Sequence, residues 1–409
     1  MTDDRQPAAT TRDAADRSLA IEARDASPSD EPIAVRVTGA EPGEPVTLAA
    51  SLEDVDGVEW SSEATFTADG DGVVDCTEHA PDAGSYDGVE PMGWLWSMRS
   101  DTDAPFARLS GRQHVDVTLR ATADDAETTR TVTRVLHDAD VEVRPVERDG
   151  LVGTLYLPPG DGPHPGVIEL HGAGGRRGDG TAKLLATHGY AALALTYFGE
   201  AHDALPDELE RVPLSYGDDG ADWLRDQSDV AGSRVGLVGA SRGAEFALLL
   251  AAYCDWVGAV VAYAGSGVPW DTPSGEPAWT RDGDPVPHIE ADGRPAATDL
   301  DDRDLAGTVP PVENAAGPVL LLSGRDDRVW NASRLSDAVV DRLDAHDFPH
   351  GYEHRSYENC GHLIGTPYAP LGGIADVDRV GGTPRGTVRA SEDAWPAVLD
   401  TLEDGLQNS

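Results

Sequence analysis

Lysine is almost missing from this chain of 409 residues: the one lysine is Lys183, and arginine supplies the other fixed cations. Only 31 Lys plus Arg stand against 74 Asp plus Glu, for a formal net charge of -43. A surface so poor in positive charge repels phosphate backbones and anionic lipid, which argues against nucleic-acid binding and membrane-surface binding. A disordered acidic chain is also a poor fit, because 39% of the residues are hydrophobic and they gather into organised runs. A globular protein adapted to high salt fits better. Molar counter-ions shorten the Debye length to about 3 Å and screen the self-repulsion.

Cysteine is scarce as well. Cys76, Cys254 and Cys360 form no close pair, which excludes a disulfide scaffold and a thiolate zinc site and suits a reduced compartment. Met1-Thr2-Asp3-Asp4 opens neither a basic n-region nor an apolar h-region, so no signal peptide is expected. The richest apolar stretch, residues 244–268, is broken by Glu245, Asp255 and several Gly, too often for a membrane span. The expected location is the cytoplasm, with no membrane insertion.

What is present falls into parts. Residues 1–20 are polar, Asp-rich and aperiodic, and read as a disordered tail. Residues 21–146 carry period-two alternation: Ile33, Val35 and Val37, then Val46 and Leu48, then Val115, Val117 and Leu119, then Val141 and Val143. Short alternating strands between Gly, Pro and Asp turns predict an antiparallel β-sandwich. Within it, residues 84–98 hold two of the nine Trp and two of the three Met, and read as a buried packing loop rather than a substrate contact. Residues 147–409 change grammar. Continuous apolar runs alternate with helical stretches, which describes a mostly parallel sheet with helices on both faces. Residues 265–312 are rich in Pro, Gly and Asp, and read as an insertion at the strand ends that forms a lid or pocket wall.

The chemistry starts at Gly239-Ala240-Ser241-Arg242-Gly243, between a predicted strand (234–239) and a predicted helix (244–253). In that context G-x-S-x-G forms a nucleophile elbow: the glycines permit a tight turn that lifts the Ser hydroxyl clear of the sheet. The helix behind it offers backbone N–H groups to a developing oxyanion, Arg242 first. A Ser nucleophile needs a base, and the base an orienting acid, in the order Ser, Asp or Glu, His. Gly324-Arg325-Asp326-Asp327-Arg328-Val329-Trp330 follows a strand and supplies the acid: Asp327 is better placed, Asp326 the alternative. Gly361-His362 follows the last strand and supplies the base. His346, His350 and His354 share no face and read as surface or strand residues, not metal ligands. Leu170-His171-Gly172-Ala173-Gly174-Gly175 suits the second half of the oxyanion hole, through the amides of Gly172 and Ala173. A phosphate-cradling loop is the weaker reading, since no Lys-Ser/Thr follows.

With these residues in view, the chain resembles the acyl-CoA thioesterase / bile acid-CoA:amino acid N-acyltransferase family. The resemblance rests on residues 84–98, 172–175, 239–245 and 324–330, and on Gly361-His362-Leu363-Ile364 with Pro367-Tyr368-Ala369-Pro370. It implies an immunoglobulin-like domain ahead of an α/β-hydrolase domain. It also implies hydrolysis of acyl-CoA thioesters with Ser241 as nucleophile, Asp327 as acid and His362 as base. Members with Cys at the nucleophile position lean to transfer onto an amino acid, and Ser leans to hydrolysis. Gly365-Thr366 departs from the family's Glu-Pro or Pro-Pro pair. Gly174, Gly175 and Arg176 are expected against the substrate, and Arg176, Arg177 and Arg242 are the cations offered to the phosphates of CoA. No metal or organic cofactor is implied. The rival readings are an N-acyltransferase, a carboxylesterase or dienelactone-type hydrolase, and an inactive scaffold.

Overall fold

In the strand Pro45–Glu53, Val46, Leu48, Ala50 and Leu52 are buried and their neighbours less so, and Glu59–Thr67 and His114–Ala123 follow the same rule. One face of each strand therefore needs a cover. The computed structural model, which describes residues 18–175, 179–199, 203, 205–291, 300, 305–376 and 378–406, supplies it as a sandwich. Six strands run in the order Ala26–Pro28, Ala126–Val135, His114–Ala123, Pro45–Glu53, Glu59–Thr67, Ala83–Gly84. Three more (Ala20–Glu22, Arg36–Thr38 and Val74–Asp75) form the second sheet. Ile21, Val37, Leu48, Phe66 and Val117 share one core between them. The pairing is antiparallel except at Ala26–Pro28, which lies parallel to Ala126–Val135.

Two boundaries move. Ala20 is already paired with Thr38, so the predicted tail of 1–20 is too long at its end; residues 1–17 lie outside the described residues. Val141 and Val143 do not belong to the sandwich. Glu142–Arg148 is the edge strand of the larger sheet, antiparallel to Leu151–Leu157, and a domain boundary after residue 146 would cut it. Its alternation looks the same from sequence because any edge strand exposes one face.

That larger sheet has eight strands in the order Glu142–Arg148, Leu151–Leu157, Ala191–Thr196, His164–Leu170, Val230–Ala240, Val257–Tyr263, Val319–Gly324, Tyr352–Tyr357. From Ala191–Thr196 onward every pairing is parallel. Both faces are covered, which is why the runs look unbroken in sequence. Ile168, Leu193, Leu195, Val319 and Leu321 pack with the helices Ser215–Arg225, Arg242–Tyr253 and Ala332–Ala345. The residues between them (Val167, Ala192, Ala194, Leu320 and Leu322) pack with Gly180–Thr187 and Pro384–Leu406. Fold and class are those the sequence predicts: a β-sandwich followed by an α/β-hydrolase domain.

The described part of 265–312 is more ordered than its composition suggests. Trp279–Arg281 and Asp284–Pro285 join Val212–Pro213 in a small sheet, while Trp270, Trp279 and Ile289 are buried in the hydrolase core. The 84–98 segment includes one helical turn, Gly93–Trp96, and Met92, Trp94, Leu95, Trp96 and Met98 all pack in the sandwich core. Leu371, Ile374, Val380 and Val388 from the C-terminal part enter that same core. Lys183, the single lysine, is 2% exposed, its amine 3.2 Å from buried Asp179. The described surface carries no lysine. No helix among the described residues is long and apolar enough to cross a membrane.

Candidate active site

Ser241 ends the strand Val230–Ala240 and precedes the helix Arg242–Tyr253. Its backbone is at φ 56° and ψ -118°, a strained conformation for a residue with a side chain, held by the structure around it. The flanking glycines are sterically required. A β-carbon on Gly239 would lie 2.2 Å from the Gly243 carbonyl oxygen, and one on Gly243 2.1 Å from that of Leu170. The turn can therefore close only when both side chains are hydrogen.

The late loops bring two partners to this turn. His362 Nε2 lies 3.0 Å from Ser241 Oγ, and its Nδ1 lies 2.8 Å from Asp327 Oδ2. A carboxylate can only accept, so Nδ1 carries the proton and Nε2 keeps a lone pair facing the serine hydroxyl. Asp327 is aimed by its own turn: Oδ1 accepts from the amides of Val329 at 2.9 Å and Trp330 at 3.3 Å. The Asp327 side chain is fully buried and that of His362 nearly so. Asp326 points elsewhere, accepting from the Gly382 amide at 3.0 Å. Trp330 stands edge-on to His362, centroids 5.9 Å apart, and anchors its indole N–H on the Ala264 carbonyl at 2.8 Å. This arrangement can take a proton from Ser241 and return it to a leaving group.

The loop after His164–Leu170 runs alongside. A β-carbon on Gly172 would lie 3.2 Å from Ser241 Cβ and 3.7 Å from its Oγ. Ala173 and Gly174 are exposed. Gly175 is in the left-handed region at φ 58°, against Phe198, where a side chain would be strained. The Arg242 amide, first of its helix, has no intrahelical acceptor. Arg176 and Arg177 lie outside the described residues.

Arg242 calls for a correction. Its guanidinium is not free for an anionic ligand. It pairs with buried Glu245 at 3.0 Å and donates to the carbonyls of Asp271 at 2.7 Å and Trp270 at 3.3 Å. Glu245 also accepts from Trp279 Nε1 at 2.9 Å, and burial raises its carboxyl above the ordinary range. This pair ties the helix Arg242–Tyr253 to the 265–312 insertion. Its sequence signal was the i, i+3 spacing of an Arg and a Glu in a run otherwise apolar.

A second Ser–His–Asp chain escaped the sequence reading. Ser323 Oγ lies 2.7 Å from His354 Nε2, and His354 Nδ1 lies 3.0 Å from Asp337 Oδ1. Ser323 is fully buried inside the strand Val319–Gly324, with Ser333 Oγ at 2.9 Å. It sits on no strand–helix turn, and no substrate carbonyl can reach it. Accessibility and the elbow separate the two chains. Among the described residues no group of three or more His, Cys, Asp or Glu side chains could hold a metal ion.

Comparison with known proteins gives the family. Residues 30–148 match the acyl-CoA thioester hydrolase/BAAT N-terminal region, and residues 212–408 match the BAAT / acyl-CoA thioester hydrolase C-terminal region. The chain is 32% identical to the peroxisomal succinyl-coenzyme A thioesterase of Mus musculus, over 93% of this chain and 95% of that one. It is 31% identical to acyl-coenzyme A thioesterase 1 of Homo sapiens, over 90% of this chain and 91% of the relative. Among solved structures, a dienelactone hydrolase-like promiscuous phosphotriesterase from metagenomic libraries aligns with a TM-score of 0.43 and 21% identity, over 65% of this chain and 99% of that one. A puromycin-hydrolyzing peptidase of Mycobacterium tuberculosis aligns with a TM-score of 0.45 and 15% identity, over 90% of this chain and 54% of that one. With both regions matched and relatives above 30% identity spanning nearly the whole chain, this protein belongs to the acyl-CoA thioester hydrolase/BAAT family of enzymes.

Proposed function

We propose that this chain is a serine hydrolase that cleaves acyl-CoA thioesters to free acid and CoA through an acyl-enzyme on Ser241. The observation that carries the reading is the hydrogen-bonded chain from Ser241 through His362 to Asp327, built on a strained strand–helix turn. In this reading Asp327 holds the imidazole in the Nδ1–H tautomer, and Nε2 takes the serine proton as Oγ attacks the thioester carbonyl. The oxyanion of the tetrahedral intermediate meets the amides of Gly172, Ala173 and Arg242. Collapse breaks the C–S bond, and His362 returns its proton to the departing CoA thiolate. Water then attacks the oxygen ester with His362 again as base, releasing the acid. Gly174 and Gly175 border the substrate in this scheme. We place the enzyme in the cytoplasm, on the scarcity of cysteine, although two mouse relatives carry the words peroxisomal and mitochondrial in their names.

The test is a panel of acyl-CoA and p-nitrophenyl esters assayed at molar KCl, with fluorophosphonate labelling of Ser241. Turnover of acyl-CoA with label on Ser241 supports the proposal. Turnover of the oxygen esters alone would move the assignment to a carboxylesterase. An unlabelled, inactive protein would make it a scaffold.

A further inference from the structure

We propose that Tyr197 and His171 are positioning residues that aim the amides of Gly172 and Ala173 at the carbonyl oxygen of the bound acyl group; this rests on the reading of Ser241 as nucleophile. In a trans peptide the C=O and the N–H point in opposite directions, so whatever holds a carbonyl also aims the next residue's amide. The Tyr197 hydroxyl donates to the His171 carbonyl. That bond sets the peptide plane whose N–H belongs to Gly172. His171 Nδ1 lies 2.9 Å from the Gly172 carbonyl, and since a carbonyl only accepts, Nδ1 must carry the proton. This second bond sets the next peptide plane, whose N–H belongs to Ala173. Two consecutive carbonyls are thus held, and two consecutive amides are turned the other way.

The two ties act as one unit. The His171 and Tyr197 rings stack with centroids 4.2 Å apart and 9° between their planes. Tyr197 is braced in turn by Phe246 and Trp279. Burial pushes the His171 imidazole down to about 4, so it stays neutral and keeps its Nδ1 proton at physiological pH. A glycine-rich loop needs such ties, because three of the four residues in Gly172-Ala173-Gly174-Gly175 lack a side chain to restrict rotation of the peptide planes. Packing alone would be met by phenylalanine at position 197. The hydroxyl adds one thing, the bond to the loop carbonyl.

Tyr197→Phe keeps the ring stack and removes only that bond. Its kcat for acyl-CoA should fall about 10- to 100-fold, less than outright deletion of an oxyanion donor, with KM changed by no more than about twofold. A trifluoromethyl ketone analogue of the acyl group reads the same amides directly. Ser241 Oγ adds to its carbonyl, the proton passes to His362 Nε2, and the ketone oxygen becomes an oxyanion. Its affinity should fall by the same factor as kcat. If the Phe variant is too unstable to assay, His171→Phe keeps an aromatic ring in the stack, removes the second tie and is held to the same criterion. A wild-type kcat, or a loss of kcat with undiminished ketone affinity, overturns the positioning role while leaving the nucleophile assignment intact. A wild-type protein that neither hydrolyses acyl-CoA nor takes a fluorophosphonate label overturns both.

Discussion

The amide of Leu371 donates to the carbonyl of Trp96 at 3.0 Å, a bond that joins the N-terminal sandwich to the segment following His362. Beside it, a β-carbon on Gly372 would come within 2.3 Å of the Ser97 carbonyl oxygen and 2.4 Å of that of Met98. The same segment reaches the candidate site from its other end, where the His362 amide donates to the Val380 carbonyl at 2.8 Å. Its latch is Glu90, buried and accepting from Arg385 Nε at 2.5 Å and Arg389 Nη2 at 2.6 Å. Glu90→Gln keeps the shape and removes the charge. It should cost about 1–3 kcal/mol by chemical denaturation at high salt, and kcat should fall because the backbone around His362 is then less firmly held. Wild-type stability and turnover in this variant would mean the sandwich does not brace the site.

Asp327→Asn should lower turnover by about 10⁴-fold without unfolding the protein, because an amide no longer enforces the Nδ1–H tautomer of His362. Asp326→Asn should cost far less, since that carboxylate serves the Gly382 amide. Steady-state kinetics on the two variants, with circular dichroism as the control for folding, ranks them. The reverse order would move the acid to Asp326.

Ser241→Ala should lose the covalent adduct and nearly all turnover. Ser241→Cys should hold the acyl group as a thioester, which favours amines over water more than the oxygen ester does. Chromatography with labelled glycine should find free acid from the wild type and a larger share of acyl-glycine from the Cys variant. Mainly acyl-glycine from the wild type would replace hydrolysis by transfer as the function.

Glu392 and Glu90 line a cavity of about 360 Å³ between the sandwich and the C-terminal helix. Burial, and then repulsion from Glu90, raises the Glu392 carboxyl to about 7 against an opposing Arg389. A raised acid favours folding while protonated. Its contribution is therefore present below the ordinary carboxylate range and lost as pH climbs through about 7. Glu392→Gln, neutral at every pH, should melt above the wild type at pH 8 and converge with it near pH 4. A difference that does not change with pH would assign Glu392 no linked proton.

The net charge of -43 with no lysine on the described surface predicts a fold that repels itself in dilute buffer. Thermal midpoints should rise from about 0.1 to 3 M KCl as the Debye length shrinks. A flat or falling series would contradict adaptation to salt.

Much of this molecule was legible in order along the chain, because local sequence reports local backbone. Period-two alternation marked the sandwich strands, each having one face in water. Unbroken runs such as Ala191–Thr196 marked strands covered on both faces. The glycines around Ser241 announced a turn that only glycine can close, and the order of Ser241, the Asp pair and His362 suggested a triad. Sequence favoured Asp327 over Asp326 by its place in the turn, but could not show which of two adjacent, chemically identical carboxylates faces the base. That choice depends on which carboxylate the amides of Val329 and Trp330 orient toward an imidazole 35 residues away. Nor could it show that the Arg242 guanidinium turns to Glu245, or that Glu142–Arg148 leaves the sandwich for the larger sheet. It gave no sign of the buried chain of Ser323, His354 and Asp337. In each case periodicity and spacing report which face a residue occupies, whereas the partner on that face is decided by packing between segments far apart in the chain.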